Sequence, residues 1–156
     1  MTDPYLIEGP ALISFSGGRT SAYLLKHVLD AYGGKLPANV LTCFANTGKE
    51  MPETLDFVRD CGQRWNVNIV WLEYDPSGET QRKFRIVGHG SASRQGEPYE
   101  ALLRERKYLP NPVTRFCTTT LLCVQPHNRV CVVILFMWRS ATILGELQGF
   151  PRRNVT

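Results

Sequence analysis

The stretch Ala11-Leu12-Ile13-Ser14-Phe15-Ser16-Gly17-Gly18-Arg19-Thr20-Ser21-Ala22-Tyr23-Leu24-Leu25 constrains the fold more than any other. A short apolar run passes into a hydroxyl- and glycine-rich turn, and an amphipathic pattern starts at once. That order predicts strand, tight loop, helix. Gly17 and Gly18 carry no Cβ, so the backbone there can turn sharply and come close to a ligand. The first N–H groups of the predicted helix lack intrahelical partners and bear partial positive charge. Hydroxyls of Ser14, Ser16, Thr20 and Ser21, with the cation of Arg19, converge on the same place. The combination predicts an anion site, most naturally for phosphate or pyrophosphate. It is neither a G-x-x-x-x-G-K-[ST] loop nor a G-x-G-x-x-G dinucleotide loop. Taken alone, the same stretch also fits an ordinary strand–turn–helix punctuated by glycine.

The pattern then repeats along the chain. Met1 to Pro10 reads as a polar lead-in. Ala22, Leu25, Leu29 and Tyr32 share one helical face, widened by Leu24 and Val28, and Gly33-Gly34 stops that helix. Asn39 to Ala45 reads as a second strand, apolar on both faces as a central parallel strand should be. It exits into Asn46-Thr47-Gly48-Lys49-Glu50-Met51-Pro52-Glu53-Thr54, where Gly48 allows a turn and Pro52 suits a helix start. Met51, Leu55, Val58 and Trp65 then recur at helical spacing, and Asn68 to Tyr74 gives a third strand. Residues 11–74 therefore predict β-α-β-α-β, with right-handed crossovers and a ligand site at the strand C-terminal ends. Both special loops should lie on one edge of the sheet.

Beyond residue 74 the pattern weakens. Phe84 to Val87 fits a short strand. Gly88 to Gly96 is a cationic, hydroxyl-rich loop that fits either a cover for a phosphate ester or a solvated surface loop. Pro98 to Lys107 fits a short helix with Tyr99, Leu102 and Leu103 on its buried side. In Asn111 to Thr120, Arg115 stands beside Cys117 in a threonine-rich turn. That pair suits an oxyanion or a thiol of lowered pKa, and equally a buried structural cysteine with a surface arginine.

Composition bounds the classes. A chain of 156 residues with 43% hydrophobic and 21% charged residues has the make-up of a globular domain with a real core. Net charge is +4, which suits phosphorylated small molecules; without a basic block or aromatic-interleaved stripe, nucleic acid is not the expected main ligand. The five cysteines, Cys43, Cys61, Cys117, Cys123 and Cys131, are odd in number and scattered, and no signal peptide is expected. The expectation is reduced thiols in a cytoplasm. No C-x-x-C occurs, so no iron–sulfur cluster is expected. The longest apolar run, Val130 to Trp138, is nine residues, far short of the ~20 of a membrane helix, so no membrane partner is expected.

Three segments together carry a family resemblance. Ser14-Phe15-Ser16-Gly17-Gly18-Arg19-Thr20-Ser21 resembles the PP-loop, S-G-G-x-[DT]-S, of the adenine nucleotide alpha-hydrolase-like superfamily. Asn46 to Thr54 resembles the [DN]-T-G-x-x-x-x-E-T segment of the phosphoadenosine phosphosulfate reductase family. Arg115-Phe116-Cys117-Thr118 is similar to the R-x-C-[CT] segment of that family, in particular its compact phage- and prophage-type members. The resemblance implies an α/β fold, a three-layer α/β/α Rossmann-like parallel sheet. It implies an adenine nucleotide, ATP or phosphoadenosine phosphosulfate, as substrate, with magnesium supplied from solution.

Carried over by position, Ser14, Ser16, Gly17, Gly18, Arg19, Thr20 and Ser21 would hold phosphates. Asn46, Thr47 and Gly48 would lie beside the nucleoside or the sulfate-bearing end. Arg115 and Cys117 are the candidate catalytic residues, Arg115 neutralising a sulfonate or phosphate. The expected chemistry is at the phosphosulfate or pyrophosphate of the nucleotide, with a thiol donor such as thioredoxin as partner and a homodimer compatible with the sequence. The alternative is a non-catalytic or truncated nucleotide-binding module, linked to nucleic-acid sulfur modification.

The departures are specific. Thr20 stands where many PP-loop pyrophosphatases have Asp, so carboxylate-assisted magnesium binding is lost at that position. The E-C-G-x-H segment that carries the reductase nucleophile is missing. Leu121-Leu122-Cys123-Val124 and the run after it are unlike the family. Residues 1–120 are accordingly expected to form the PP-loop domain and residues 121–156 an atypical, truncated or out-of-frame C-terminal segment of it.

Overall fold

The computed structural model describes residues 3–7, 9, 11–77 and 83–110. The expectations for Arg115, Cys117 and residues 121–156 lie outside the described residues.

Alternation along the strands decides what each face of the sheet packs against. Strand β1 (Ala11–Ser14) pairs in parallel with β2 (Val40–Asn46), and β2 with β3 (Ile69–Tyr74); β4 (Phe84–Val87) closes the sheet antiparallel to β3. The spatial order is β1-β2-β3-β4. The register sets Ala11, Val40, Ile13 and Thr42 on one face, continued by Phe44, Ile69 and Trp71. Helices α1 (Arg19–Ala31) and α2 (Pro52–Arg64) bury Ala22, Leu25, Val28 and Leu29, and Leu55, Val58 and Cys61, in the same core. Two right-handed crossovers stepping the same way across a sheet put both helices on one side, which is the arrangement found. On the other face α3 (Glu97–Arg106) packs Leu102 against Tyr74. The result is a mixed, mostly parallel α/β sheet between helical layers, as the fold expectation required. The antiparallel β4 is the one departure, and its short length and exposed Arg85 and Ile86 suit an edge strand.

Local chemistry explains the boundaries. Gly33 at φ 67° and Gly34 at φ 88° end α1: Gly34 N–H donates to Leu29 O (2.7 Å) and Gly33 N–H to Asp30 O (3.0 Å). This is the Schellman pattern, and glycine adopts its left-handed turn without strain. Helix α2 ends the same way with Asn66 in the left-handed position, Val67 N–H reaching Gly62 O at 2.9 Å.

Two details differ from the pattern read in the sequence. Met51 is 65% exposed, because it is the N-cap of α2 rather than part of its buried stripe. The lead-in is not merely polar. Ile7 is buried, and the Tyr32 hydroxyl both accepts from Ile7 N–H (2.8 Å) and donates to Ile7 O (2.7 Å).

Candidate functional site

The β1 exit comes first. Phe15 prolongs the ladder by one bond, its N–H donating to Cys43 O at 2.7 Å, and its buried ring anchors the turn. Gly17 is next, in the left-handed region at φ 75°. A Cβ there would stand 2.8 Å from Thr54 Cγ2 and 3.0 Å from Val58 Cγ2. The loop thus lies directly against the first turns of α2, and a side chain would push it off. Ser16 Oγ donates to Ser21 Oγ (3.0 Å), and Ser21 Oγ donates to Gly18 O (2.9 Å), holding the turn in a tight ring.

Helix α1 then begins with Gly18 as N-cap. No side chain caps it and no acidic residue sits in its first turn; Arg19 and Thr20 stand exposed there. Its first N–H groups are therefore left with positive partial charge and no acceptor from the helix itself, the condition for holding an anion. Ser14 does not join this group as closely. It belongs to β1, on the face opposite Ile13 and Phe15 by alternation.

The β2 exit is the neighbouring wall. Because β1 and β2 are adjacent and parallel, the two special loops leave the same edge of the sheet, as the sequence predicted. Here the polar groups are spent on each other. Asn46 Oδ1 accepts from Gly48 N–H (3.0 Å) and its Nδ2 donates to Glu73 Oε1 (2.7 Å) and to Ser93 O (2.8 Å). Thr47 Oγ1 accepts from Lys49 N–H (3.2 Å) and donates to Glu50 Oε1 (3.0 Å). Gly48, φ 76°, is packed so closely that a Cβ would lie 2.9 Å from both Gly96 Cα and Pro98 Cδ.

Glu73, at the end of β3, sits at the centre of this cluster. Its side chain is wholly buried, paired with Arg85 at 2.8 Å, and it accepts from Ser93 N–H (2.6 Å) and Ser93 Oγ (3.0 Å). The 88–96 segment is therefore not a free surface loop. Lys49 Nζ donates to Gln95 O (2.9 Å), and His89 Nε2 meets Asp56 Oδ1 at 2.9 Å while its ring stands edge-on to Trp71. Glu73, Arg85 and Ser93 were missed in the sequence, where a lone acid in an apolar strand gave no local signal.

The described cysteines are not poised for attack. Burial pushes the Cys43 thiol up to about 12, and burial, with Asp60 nearby, also raises Cys61. Among the described residues no group of three or more His, Cys, Asp or Glu could hold a metal ion, and no helix is long and apolar enough to cross a membrane.

Residues 10–110 match the family model described as the phosphoadenosine phosphosulfate reductase domain. The chain is also 40% identical, over 153 residues, to the uncharacterized nin region protein ORF290 of Escherichia phage lambda. That alignment covers 91% of this chain and 49% of the phage protein, so the chain spans about half the length of its relative. No solved structure matches.

Proposed function

Because the chain belongs to the phosphoadenosine phosphosulfate reductase domain family, a PP-loop family that binds adenine nucleotides, we propose that it binds an adenine nucleotide through Ser16 to Ser21 and acts on its phosphosulfate or pyrophosphate. The observation that carries this reading is the uncapped, acid-free start of α1, facing the same sheet edge as the β2 exit. The amides of the Gly17–Ser21 turn and the Arg19 guanidinium would hold the anionic diphosphate, with magnesium drawn from solution to share its charge. Ser14 is carried as part of this group by position. Thr47 and Gly48 would border the nucleoside or the sulfate-bearing end. Arg115 would neutralise a sulfonate or phosphate.

If the chemistry is reductive, a thiolate attacks the sulfur of the phosphosulfate. The sulfur–oxygen bond to the phosphate breaks, and the nucleotide phosphate leaves with that electron pair. An enzyme S-sulfonate remains; a dithiol donor such as thioredoxin then releases sulfite and is itself oxidised to the disulfide. Cys117 is the cysteine within a family motif and so the one to test. Residues 121–156 would form an atypical end of the same domain.

A second reading, a nucleotide-binding module without the reductive step, is favoured by the two cysteines among the described residues, Cys43 and Cys61, both being buried with raised thiol pKa. Calorimetry with ATP, adenosine phosphosulfate and phosphoadenosine phosphosulfate tests the common core. Saturable binding of one of them, weakened about tenfold by Arg19→Ala, is expected for a charge-assisted phosphate contact. No binding of any would end both readings. Sulfite release with thioredoxin, lost in Cys117→Ser, separates the first from the second.

A further inference from the structure

We propose that Glu73 is the positioning residue of this site: its buried carboxylate, acting through Asn46 and Ser93, locks the Thr47–Lys49 turn and the Ala92–Gly96 segment into one wall beside the nucleotide. The proposal rests on the nucleotide-binding reading above and adds to it the residue that holds the site's second wall.

The valences of the cluster carry the argument. A carboxylate offers about four acceptor directions. Glu73 fills them with Asn46 Nδ2 and Ser93 N–H on Oε1, and with Arg85 and Ser93 Oγ on Oε2. With only 1% of the residue exposed, it has neither access nor a free lone pair for a ligand or a proton in transit. Asn46 is equally committed. Both of its amide protons and its Oδ1 have internal partners, and it is 2% exposed.

The carboxylate also fixes which way the Asn46 amide points. A flipped amide would set Oδ1 against Glu73 Oε1 and against Ser93 O, three acceptors with no proton between them. Nδ2 therefore faces Glu73, and Oδ1 must face Gly48 N–H. Gly48 in turn rests on Gly96 and Pro98, and the Lys49 side chain lies across Gly96, where a Cβ would collide with its Cε. One buried carboxylate thus sets two chain segments. Asn46 serves the site from beneath, while the exposed turn above it meets the ligand.

The test uses the full chain with Glu73→Gln, which keeps the shape but replaces one acceptor oxygen, met by two donors, with an N–H₂. Amide exchange is read at Ser93, at Gly48, which does not touch Glu73, and at Phe15 in the β1 ladder. An acceleration of about tenfold or more at Gly48 and Ser93, with Phe15 unchanged, is expected for a local opening. Gly48 keeping its protection while Ser93 alone accelerates would overturn the proposal. ATP calorimetry is the second arm. Glu73→Gln, Asn46→Ala and the double variant should weaken binding by the same factor, about tenfold, because they break one unit; additive losses would also overturn it. If the wild-type chain binds none of the three nucleotides, the functional reading fails, whereas the exchange arm still decides whether Glu73 sets the turn. Should Glu73→Gln not yield folded protein, Glu73→Asp, which keeps the charge and shortens the reach, is read by the same criteria.

Discussion

The exits of β1 and β2 lie side by side on one sheet edge and treat their polar groups in opposite ways. None of the three described helices has a side-chain cap, but after β1 the start of α1 also has no acid in its first turn and an exposed arginine at its first position. After β2, every polar atom of the Asn46 side chain is engaged, and α2 begins with Glu53 in its first turn. Helix α3 likewise starts with Glu97 and Glu100. Acids at a helix start satisfy its dipole internally. The contrast separates a helix start whose dipole has no internal acid from starts whose dipoles have one.

Substitutions can break that contrast at graded cost. The largest effect is expected from Gly17→Ala. A Cβ at 2.8 Å from Thr54 Cγ2, at φ 75°, adds backbone strain of about 1–2 kcal/mol to overpacking of about 1–3 kcal/mol, so urea unfolding should lose about 3 kcal/mol. A loss under about 0.5 kcal/mol would mean that the two loops do not meet as described. Next is Arg19→Glu, which should leave stability within about 0.5 kcal/mol, as exposed substitutions do. It should nevertheless abolish measurable nucleotide binding by setting a like charge against the phosphates.

Cys43 gives a smaller, pH-dependent effect. Its thiol is held neutral in the fold, with a pKa of about 12, while the unfolded chain ionises near 9. Its stabilising contribution is therefore complete below pH 9 and is lost as pH rises towards 12. The stability gap between wild type and Cys43→Ala should narrow by about 1 kcal/mol from pH 9 to pH 10. A gap that stays constant would show that Cys43 is not sealed from water. The smallest change expected is Lys49→Met. Its ammonium lies 3.6 Å from Glu100 and is half exposed, so its removal should cost no more than about 1 kcal/mol in denaturant unfolding.

How much was legible in the sequence depends on the range of the interactions. The β1 turn and α1 are written in consecutive residues: apolar run, glycines, hydroxyls, then a helical stripe. The shared edge of the two loops comes from β-α-β chirality, a rule about neighbours. Glu73 was invisible because its partners lie 27, 20 and 12 positions away in Asn46, Ser93 and Arg85. An acid at the end of Ile69-Val70-Trp71-Leu72 shows no period and no motif. The 88–96 segment was ambiguous for the same reason. Its composition suits solvent, and partners distant in sequence, Glu73 for Ser93, Lys49 for Gln95 and Asp56 for His89, draw it onto the sheet. Met51 misled the helical reading because an apolar residue immediately before a proline-started helix has the right spacing but the wrong backbone.

The Tyr32 phenol, bonded twice to Ile7, holds α1 at the end remote from its first-turn amides. A helix of 13 residues is about 20 Å long, so a tilt of about 5° pivoting on that end would swing the other by about 1.7 Å. That is enough to carry an N–H out of reach of an oxygen. The distant tyrosine therefore acts as the fulcrum of a lever, and the aim of the amide cradle is set partly by a phenol that no ligand would touch.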